Sequence, residues 1–303
     1  MGLFSTAKKE SQIGIDFMRD GVAVAQVQTG KNNPGDIIRS EFIAAADHEN
    51  QVEALKGWVH DNNLQKTPCV CLVADDDCDI YQVERPEVED SEMIQAVTWK
   101  VKDLVNYDVT HAVVDCYPLP VSSKNKRQQV GVVAARETVI SNYVESVRST
   151  DLQLNALDVH ELVGCNLRAI QHSAGQSMAL LALAAGKGWL SVYHDTDLYV
   201  SREFMIGIDQ LELATSDDES IFDALLLEIQ RSLDYFESFY GIGTVINLRI
   251  FPQLDATEKM AMYLQNFSNF DIDFLAIDGV DDSPGLEPHC FHAYCAALRD
   301  LSL

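Results

Sequence analysis

The stretch "IGIDFMRDGVAVAQVQ", residues 13–28, decides how the rest of the chain is read. Its apolar residues recur with a strand period over 12–17 and again over 22–28, so it reads as a pair of strands. Asp16 stands at the end of the first strand. A loop that cradles an anion needs glycine next, because only a residue without a Cβ lets backbone amides approach closely. This chain has Phe17, Met18 and Arg19 there instead.

Outward from this pair the strand period continues over 36–43, then becomes helical over 50–63, where Val52, Leu55 and Val59 recur three and four apart. "PCVCLVA" (68–74) is a short continuous apolar run and reads as a buried strand. A region of different texture covers about 75–150. It holds a strand ending at Pro86, a helix with Met93, Val97, Val101 and Leu104 in one stripe, and two strands, "THAVVDCYPLP" and "QQVGVVAAR", around the polar loop 121–128. A helix over 137–149 follows, with Val139, Tyr143 and Val147 in register, then the strand "LQLNALDV" and a helix over 160–171.

The second half repeats this order. Three strands, "SMALLALAAG", "GWLSVYH" and "DLYVSREF", precede a long helix carrying Phe222, Leu225, Ile229, Leu233, Phe236 and Tyr240 as one apolar stripe. Ser216 and Glu219 have capping-box spacing, and Gly241 stands at the C-cap position. A strand (245–250), a helix (256–266), a short strand (272–275) and a terminal helix (288–300) complete it. The architecture is doubled without a residue-level repeat. The expected fold is α/β: two duplicated lobes, 1–165 and 166–303, with a small α+β insert at about 75–150 in the first, and a ligand cleft between the lobes.

Composition narrows the function. The 303 residues, 47% hydrophobic, suit a globular chain with a large core. Lys+Arg of 22 against Asp+Glu of 47 gives a formal charge of −25, which repels nucleic acid and anionic lipid. No apolar run reaches the roughly 18 residues of a membrane span. The start, "MGLFSTAKKE", matches the short myristoylation pattern but reads better as a terminal tail. Seven cysteines without a framework fit reduced thiols in a cytoplasm.

Several segments in order resemble the PilM family of type IV pilus assembly, and within it the branch of the mannose-sensitive haemagglutinin (MSHA) pilus. They are "IGIDFMRDGVAVAQV"; "YQVERPEVEDSEMIQAVTWKVKDLVNYDVTHAVVDCYPL"; "VGVVAARETVISNYVESVRSTDLQLNALDV"; "LLLEIQRSLDYFES"; and "HAYCAALRDL". The resemblance runs from about Ile13 to Leu298. It implies an actin-like ATPase (ribonuclease H-like) fold. It also implies a cytoplasmic protein held at the inner membrane by its partner, a bitopic PilN-like protein (MshJ-like in the MSHA branch). The partner's short cytoplasmic tail would lie in a groove between the first lobe and its insert. The residues expected at that groove are Val83 to Pro86 and the Met93–Val101 helix, with an ordinary core role equally expected for them. A homodimer is left open.

The resemblance also places the family's nucleotide elements on this sequence, and each is altered. In the first phosphate loop Gly14 and Asp16 remain, but Met18 replaces a glycine and Arg19 and Asp20 replace hydroxyl residues. In the second, "ALAAGKG" (182–188) puts Ala182 where the Mg²⁺-orienting Asp belongs, Ala184 at the Gly and Gly188 at the Thr. After the strand ending at Ile250, "FPQLDA" replaces a Gly-Gly turn. Phosphoryl transfer needs metal and donors in place. The expectation is therefore a non-catalytic adaptor with no cofactor, whose degenerate cleft keeps Gly14, Asp16, Arg19 and Lys187. The alternative is an active ATPase using ATP and Mg²⁺. Two other clusters are weighed: His289, His292 and Cys295 as a metal face, against a packed helix; and "VADDDCD" (73–79) as a Ca²⁺ turn, against a solvated one.

Overall fold

The computed structural model describes residues 11–29, 35–122, 127–170, 175–214, 219–277 and 285–299. The amino-terminal tail and Ser216 lie outside them.

Strands β1 (Ser11–Met18), β2 (Gly21–Gln28) and β3 (Ile37–Ala44) form a meander. Helix α1 (His48–Asp61) then crosses to β4 (Pro68–Val73), which runs parallel to β1. Asp47 caps α1 by accepting from the Asn50 amide at 3.0 Å. The chain next builds β5 (Asp79–Glu84), helix α2 (Met93–Val101), β6 (Ala112–Pro118) and β7 (Gln129–Arg136). Helix α3 (Glu137–Ser149) returns to the first sheet, where β8 (Gln153–Val159) pairs with β4. Helix α4 (His160–Ile170) leads to the second half.

There β9 (Ser177–Leu183), β10 (Gly188–His194) and β11 (Asp197–Phe204) repeat the meander. They are followed by α5 (Ile208–Glu212), α6 (Ser220–Tyr240), β12 (Asn247–Phe251), α7 (Asp255–Phe267), β13 (Asp271–Phe274) and α8 (Phe291–Ala297). Gly241 ends α6 in the left-handed conformation, φ 71°, and its amide bonds the Glu237 carbonyl.

The two large sheets have matching orders, β3-β2-β1-β4-β8 and β11-β10-β9-β12-β13. This is the duplication read from the alternation of elements. Each sheet is covered on its outer face by two helices. Leu55, Trp58, Val59, Tyr143 and Val147 of α1 and α3 pack on the first sheet. Leu225, Ile229, Phe236 and Met260 of α6 and α7 pack on the second. Each fully buried Leu, Ile or Phe contributes on the order of 2 kcal/mol. Between the sheets lies a layer made of α4 and α8, with Val163, Leu167, Ala293, Ala296 and Ala297 against Val70, Leu72, Leu180 and Ala182.

Two placements differ from the sequence reading. The insert is the three-stranded sheet β5-β7-β6 with α2, from Asp79 to Arg136. Helix α3 lies outside it, because Tyr143 and Val147 are buried against Leu55 and Cys71. The last helix, α8, packs on the first lobe. Gln12 Nε2 donates to the Ala297 carbonyl at 3.1 Å, and Gly14 lets α8 descend onto β1. A Cβ at Gly14 would lie 1.7 Å from the Ala293 carbonyl oxygen.

Candidate functional site

Two concave regions follow from this layout. The first lies between the lobes, where the β1–β2 and β9–β10 turns face each other. Asp16, near the end of β1, is only 3% exposed. His160, the first residue of α4, places its Nε2 3.0 Å from Asp16 Oδ2 and its Nδ1 3.0 Å from Asp75 Oδ1. Lys187, in the β9–β10 turn, extends the chain across the cleft, 3.5 Å from Asp75 Oδ2 and 2.8 Å from Glu203 Oε2. Its ammonium also lies 4.7 Å above the Trp189 ring.

Burial disfavours a charged His160, but the carboxylates of Asp16 and Asp75 outweigh it and push the imidazole pKa up to about 10. The doubly protonated ring then donates to both carboxylates. Burial opposes ionisation of Asp75 too, yet the bond and charge of His160, with Lys187, draw it down to about 2. Asp16 is held below its ordinary value by His160 in the same way, against its own burial. His292, on α8, meets His160 edge-on with ring centroids 5.0 Å apart, and Trp189 at 4.5 Å. Burial and the neighbouring His160 charge lower its pKa to about 3, so it is neutral.

The four residues expected at this cleft have different fates. Gly14 does not face a ligand; its missing side chain is the space α8 occupies. Asp16 sits in the buried network. Arg19 is exposed in the β1–β2 turn, and it shares with Gly186, Lys187 and Met205 a cavity of about 900 Å³. The second turn is tied down from behind. Ile208 and Asp209 amides donate to the Ala184 and Ala185 carbonyls at 2.8 and 2.9 Å. A Cβ on Gly207 would meet the Ala185 oxygen at 2.3 Å, so the turn sits hard against its neighbour. In the third element the Thr257 hydroxyl bonds the Pro252 carbonyl at 2.8 Å and accepts from the Leu254 amide at 2.9 Å.

His289, His292 and Cys295 do not share a metal face on the last helix. His289 turns to Glu287, 2.7 Å away, and stacks on Phe42, while Cys295 is buried with its thiol pushed up by desolvation. His292 joins Asp16 and His160 instead, with one potential ligand atom from each within 4.8 Å of the others. The turn at 75–77 is not simply solvated: Asp75 is in the network, and Asp77 accepts from the Tyr143 hydroxyl at 2.7 Å. Sequence reasoning missed His160, and weighed Asp75 only within the 73–79 turn, because they lie 144 and 59 positions from Asp16 and no spacing rule joins them. The one available signal was that His160 directly follows a strand at the start of a helix.

The second concave region lies between the first lobe and the insert. One face of the insert sheet is its core, where Met93, Val97 and Val101 pack on Val130 and Val132. The α2 stripe and Val83 are therefore covered by their own sheet, the core role that was equally expected for them, while Arg85 and Pro86 line a separate cavity of about 740 Å³. Leu104 leaves the stripe, 52% exposed beyond the helix end. The other face of the sheet opens on a groove of about 330 Å³. Val113, Asp115 and Tyr117 of β6 line one side, and Ile140, Leu157 and Leu162 the other. The Tyr117 ring lies over Gly131, where a Cβ would be 2.1 Å from it, and the hydroxyl reaches Glu161 at 3.4 Å. Strands β6 and β8, which flank this groove, are both edge strands of their sheets. Among the described residues no helix is long and apolar enough to cross a membrane.

The matching sheets, each with its outer helix pair and with two helices between them, define the class: the chain has the actin-like ATPase fold. Among solved structures it is similar to a chain of a PilM–PilN type IV pilus biogenesis complex, with a TM-score of 0.69 and 16% identity over 96% of this chain and 99% of that one. It is similar to the cytoplasmic domain of EpsL, an inner-membrane component of the type II secretion system of Vibrio cholerae (TM-score 0.51, 12% identity, 94% of each chain). It is also similar to a Bacteroides thetaiotaomicron protein of actin-like ATPase fold and unknown function (TM-score 0.50, 10% identity, 93% and 97%). At these identities the likeness establishes the fold. No protein-family model and no curated protein matches the chain.

Proposed function

We propose that this chain is a non-catalytic, PilM-like adaptor of a type IV pilus assembly machine, the MshI-type member serving the MSHA pilus. It would capture the cytoplasmic tail of a PilN-like (MshJ-like) inner-membrane protein, and so work in the cytoplasm at that membrane. The observation that carries this reading is the groove between insert and lobe. It has an apolar floor and is flanked by two sheet edges, β6 and β8. An extended peptide entering it finds main-chain partners on an edge and apolar side pockets. Asp115 and Glu161 beside it, within an overall charge of −25, favour a basic tail. The similarity to a chain of a PilM–PilN complex supports the same choice of partner.

The interlobe cleft supports the non-catalytic half of the reading. Ala182 stands where the Mg²⁺-orienting carboxylate is expected, the carboxylate that remains, Asp16, is held by His160, and imidazoles suit Mg²⁺ poorly. One observation favours the alternative, an ATP-using switch: Arg19 and Lys187 share a roomy cavity and are the residue types that bind phosphate. Two measurements decide. A fluorescent synthetic peptide of the PilN-like tail should bind with equal affinity with and without Mg-ATP, and lose at least about tenfold with Val113→Asp, a surface change in the groove. Unchanged binding by that variant overturns the groove assignment. Isothermal titration giving micromolar Mg-ATP binding that Asp16→Ala abolishes overturns the reading of the cleft as a degenerate site with Asp16 in a structural role.

A further inference from the structure

Asp16, His160 and His292 come from β1, α4 and α8, elements far apart in sequence that meet only in the folded chain. Their potential ligand atoms all lie within 4.8 Å of one another. Two imidazoles and one carboxylate are a donor set for zinc and its neighbours in the transition series, and not for Mg²⁺ or Ca²⁺. The second shell is also present. His160 presents Nδ1 to Asp75 at 3.0 Å, which leaves Nε2 as the nitrogen facing Asp16. A carboxylate behind a histidine, fixing which nitrogen is offered, is the usual support of a metal-bound imidazole. His292 has ring neighbours but no hydrogen bond to the described residues, so neither of its nitrogens is committed elsewhere.

The charge balance agrees. Asp16, Asp75 and Glu203 supply three carboxylates, and Lys187 one ammonium. With both histidines neutral, two negative charges are left for a divalent cation. The Asp16–His160 bond as it stands does not conflict with a metal: the ion takes the place of the Nε2 proton between the same two atoms. Three protein ligands leave a fourth position for water.

We propose that Asp16, His160 and His292 form a binding site for one divalent transition-metal ion of the zinc class, which ties the last helix to the first strand. The proposal does not rest on the partner reading, since the groove and this site share no ligand residue.

The test uses the full chain stripped with EDTA, dialysed, and titrated with zinc chloride against a competing chelator. The expected result is one zinc per chain, weakened about 100-fold or more by His292→Ala and about tenfold by Asp75→Asn, as loss of a ligand and of a ligand's support do. His289→Ala, on the same segment but turned away, should bind as the parent does. Cobalt(II) chloride added to the stripped parent protein should give the intense visible absorption of a tetrahedral site. Circular dichroism in EDTA shows whether each variant is folded. If His292→Ala does not fold, the cobalt spectrum of the parent chain decides. A six-coordinate, water-like cobalt spectrum, no stoichiometric zinc, or full zinc affinity in folded His292→Ala would each overturn the site.

Discussion

Replacing Gly14 by alanine should destabilise the protein far more than its size suggests. The added Cβ would sit 1.7 Å from the Ala293 carbonyl oxygen, 2.7 Å from its carbon and 2.9 Å from the Ala297 amide nitrogen. All three are backbone atoms of one helix, so no side chain can swing aside. Ordinary contact begins at about 3.5 Å, so α8 has to withdraw by nearly 2 Å along that line. Its residues Ala293, Cys295, Ala296 and Ala297 have no exposed surface, so the retreat opens the middle layer along its length. Overpacking of this kind costs about 3 kcal/mol or more. The gain from removing a glycine inside a strand, under about 1 kcal/mol, offsets only part of it. Gly57 supplies the control. It is exposed in the middle of α1 with nothing within 4 Å of its Cβ position, so Gly57→Ala should stabilise by about 0.5–1 kcal/mol. Urea unfolding followed by tryptophan fluorescence measures both. Gly14→Ala within about 1 kcal/mol of the parent protein would refute the placement of α8 on β1.

Other perturbations follow from the same contacts. In metal-free protein the His160 pair should add stability that is full below pH 6.5 and is lost as pH rises through about 10, because the folded pKa lies above the ordinary one. Asp75 acts oppositely: its share is full above pH 3.8 and is lost as pH falls towards 2; buried neutral His292 also costs stability as pH falls from 6.5 towards 3, so denaturation midpoints should be highest near pH 6.5, and His160→Gln should flatten the alkaline fall. Burial pushes the thiols of Cys69, Cys78 and Cys165 up to about 12, so iodoacetamide at pH 8 should label the folded chain slowly, with the more exposed Cys116 first by mass spectrometry. Gly131→Val should displace the Tyr117 ring and weaken capture of the partner peptide, read by fluorescence polarisation, while leaving the interlobe network intact.

Much of the architecture was legible because periodicity reports burial directly. The strand pair at 13–28, the α6 stripe and its Gly241 cap stand where pattern and capping chemistry put them. Partner assignment within a layer was less legible. The α3 stripe of Tyr143 and Val147 and the α8 residues are equally apolar whichever sheet they cover, so the sequence did not say that α3 covers the large sheet of the first lobe and not the insert, nor that α8 packs on that lobe. The cleft was legible only by subtraction. Met18, Ala182 and Pro252 mark what is missing, but the network of Asp16, His160, Asp75 and Lys187 depends on elements that meet only in three dimensions. The α2 stripe was open to two readings for a related reason: a helical period tells that a face is covered, not by what, and Met93, Val97 and Val101 are covered by their own sheet.

The position of α8 also bears on how the molecule is made. The first sheet holds β1 and β2, among the earliest strands to leave the ribosome, yet its inner face is covered only in part, by Val163 and Leu167 of α4, until Ala293 to Leu298 have been synthesised. The amino-terminal half should therefore not mature on its own during translation, and a nonsense codon anywhere before residue 290 should yield an insoluble fragment rather than a folded lobe.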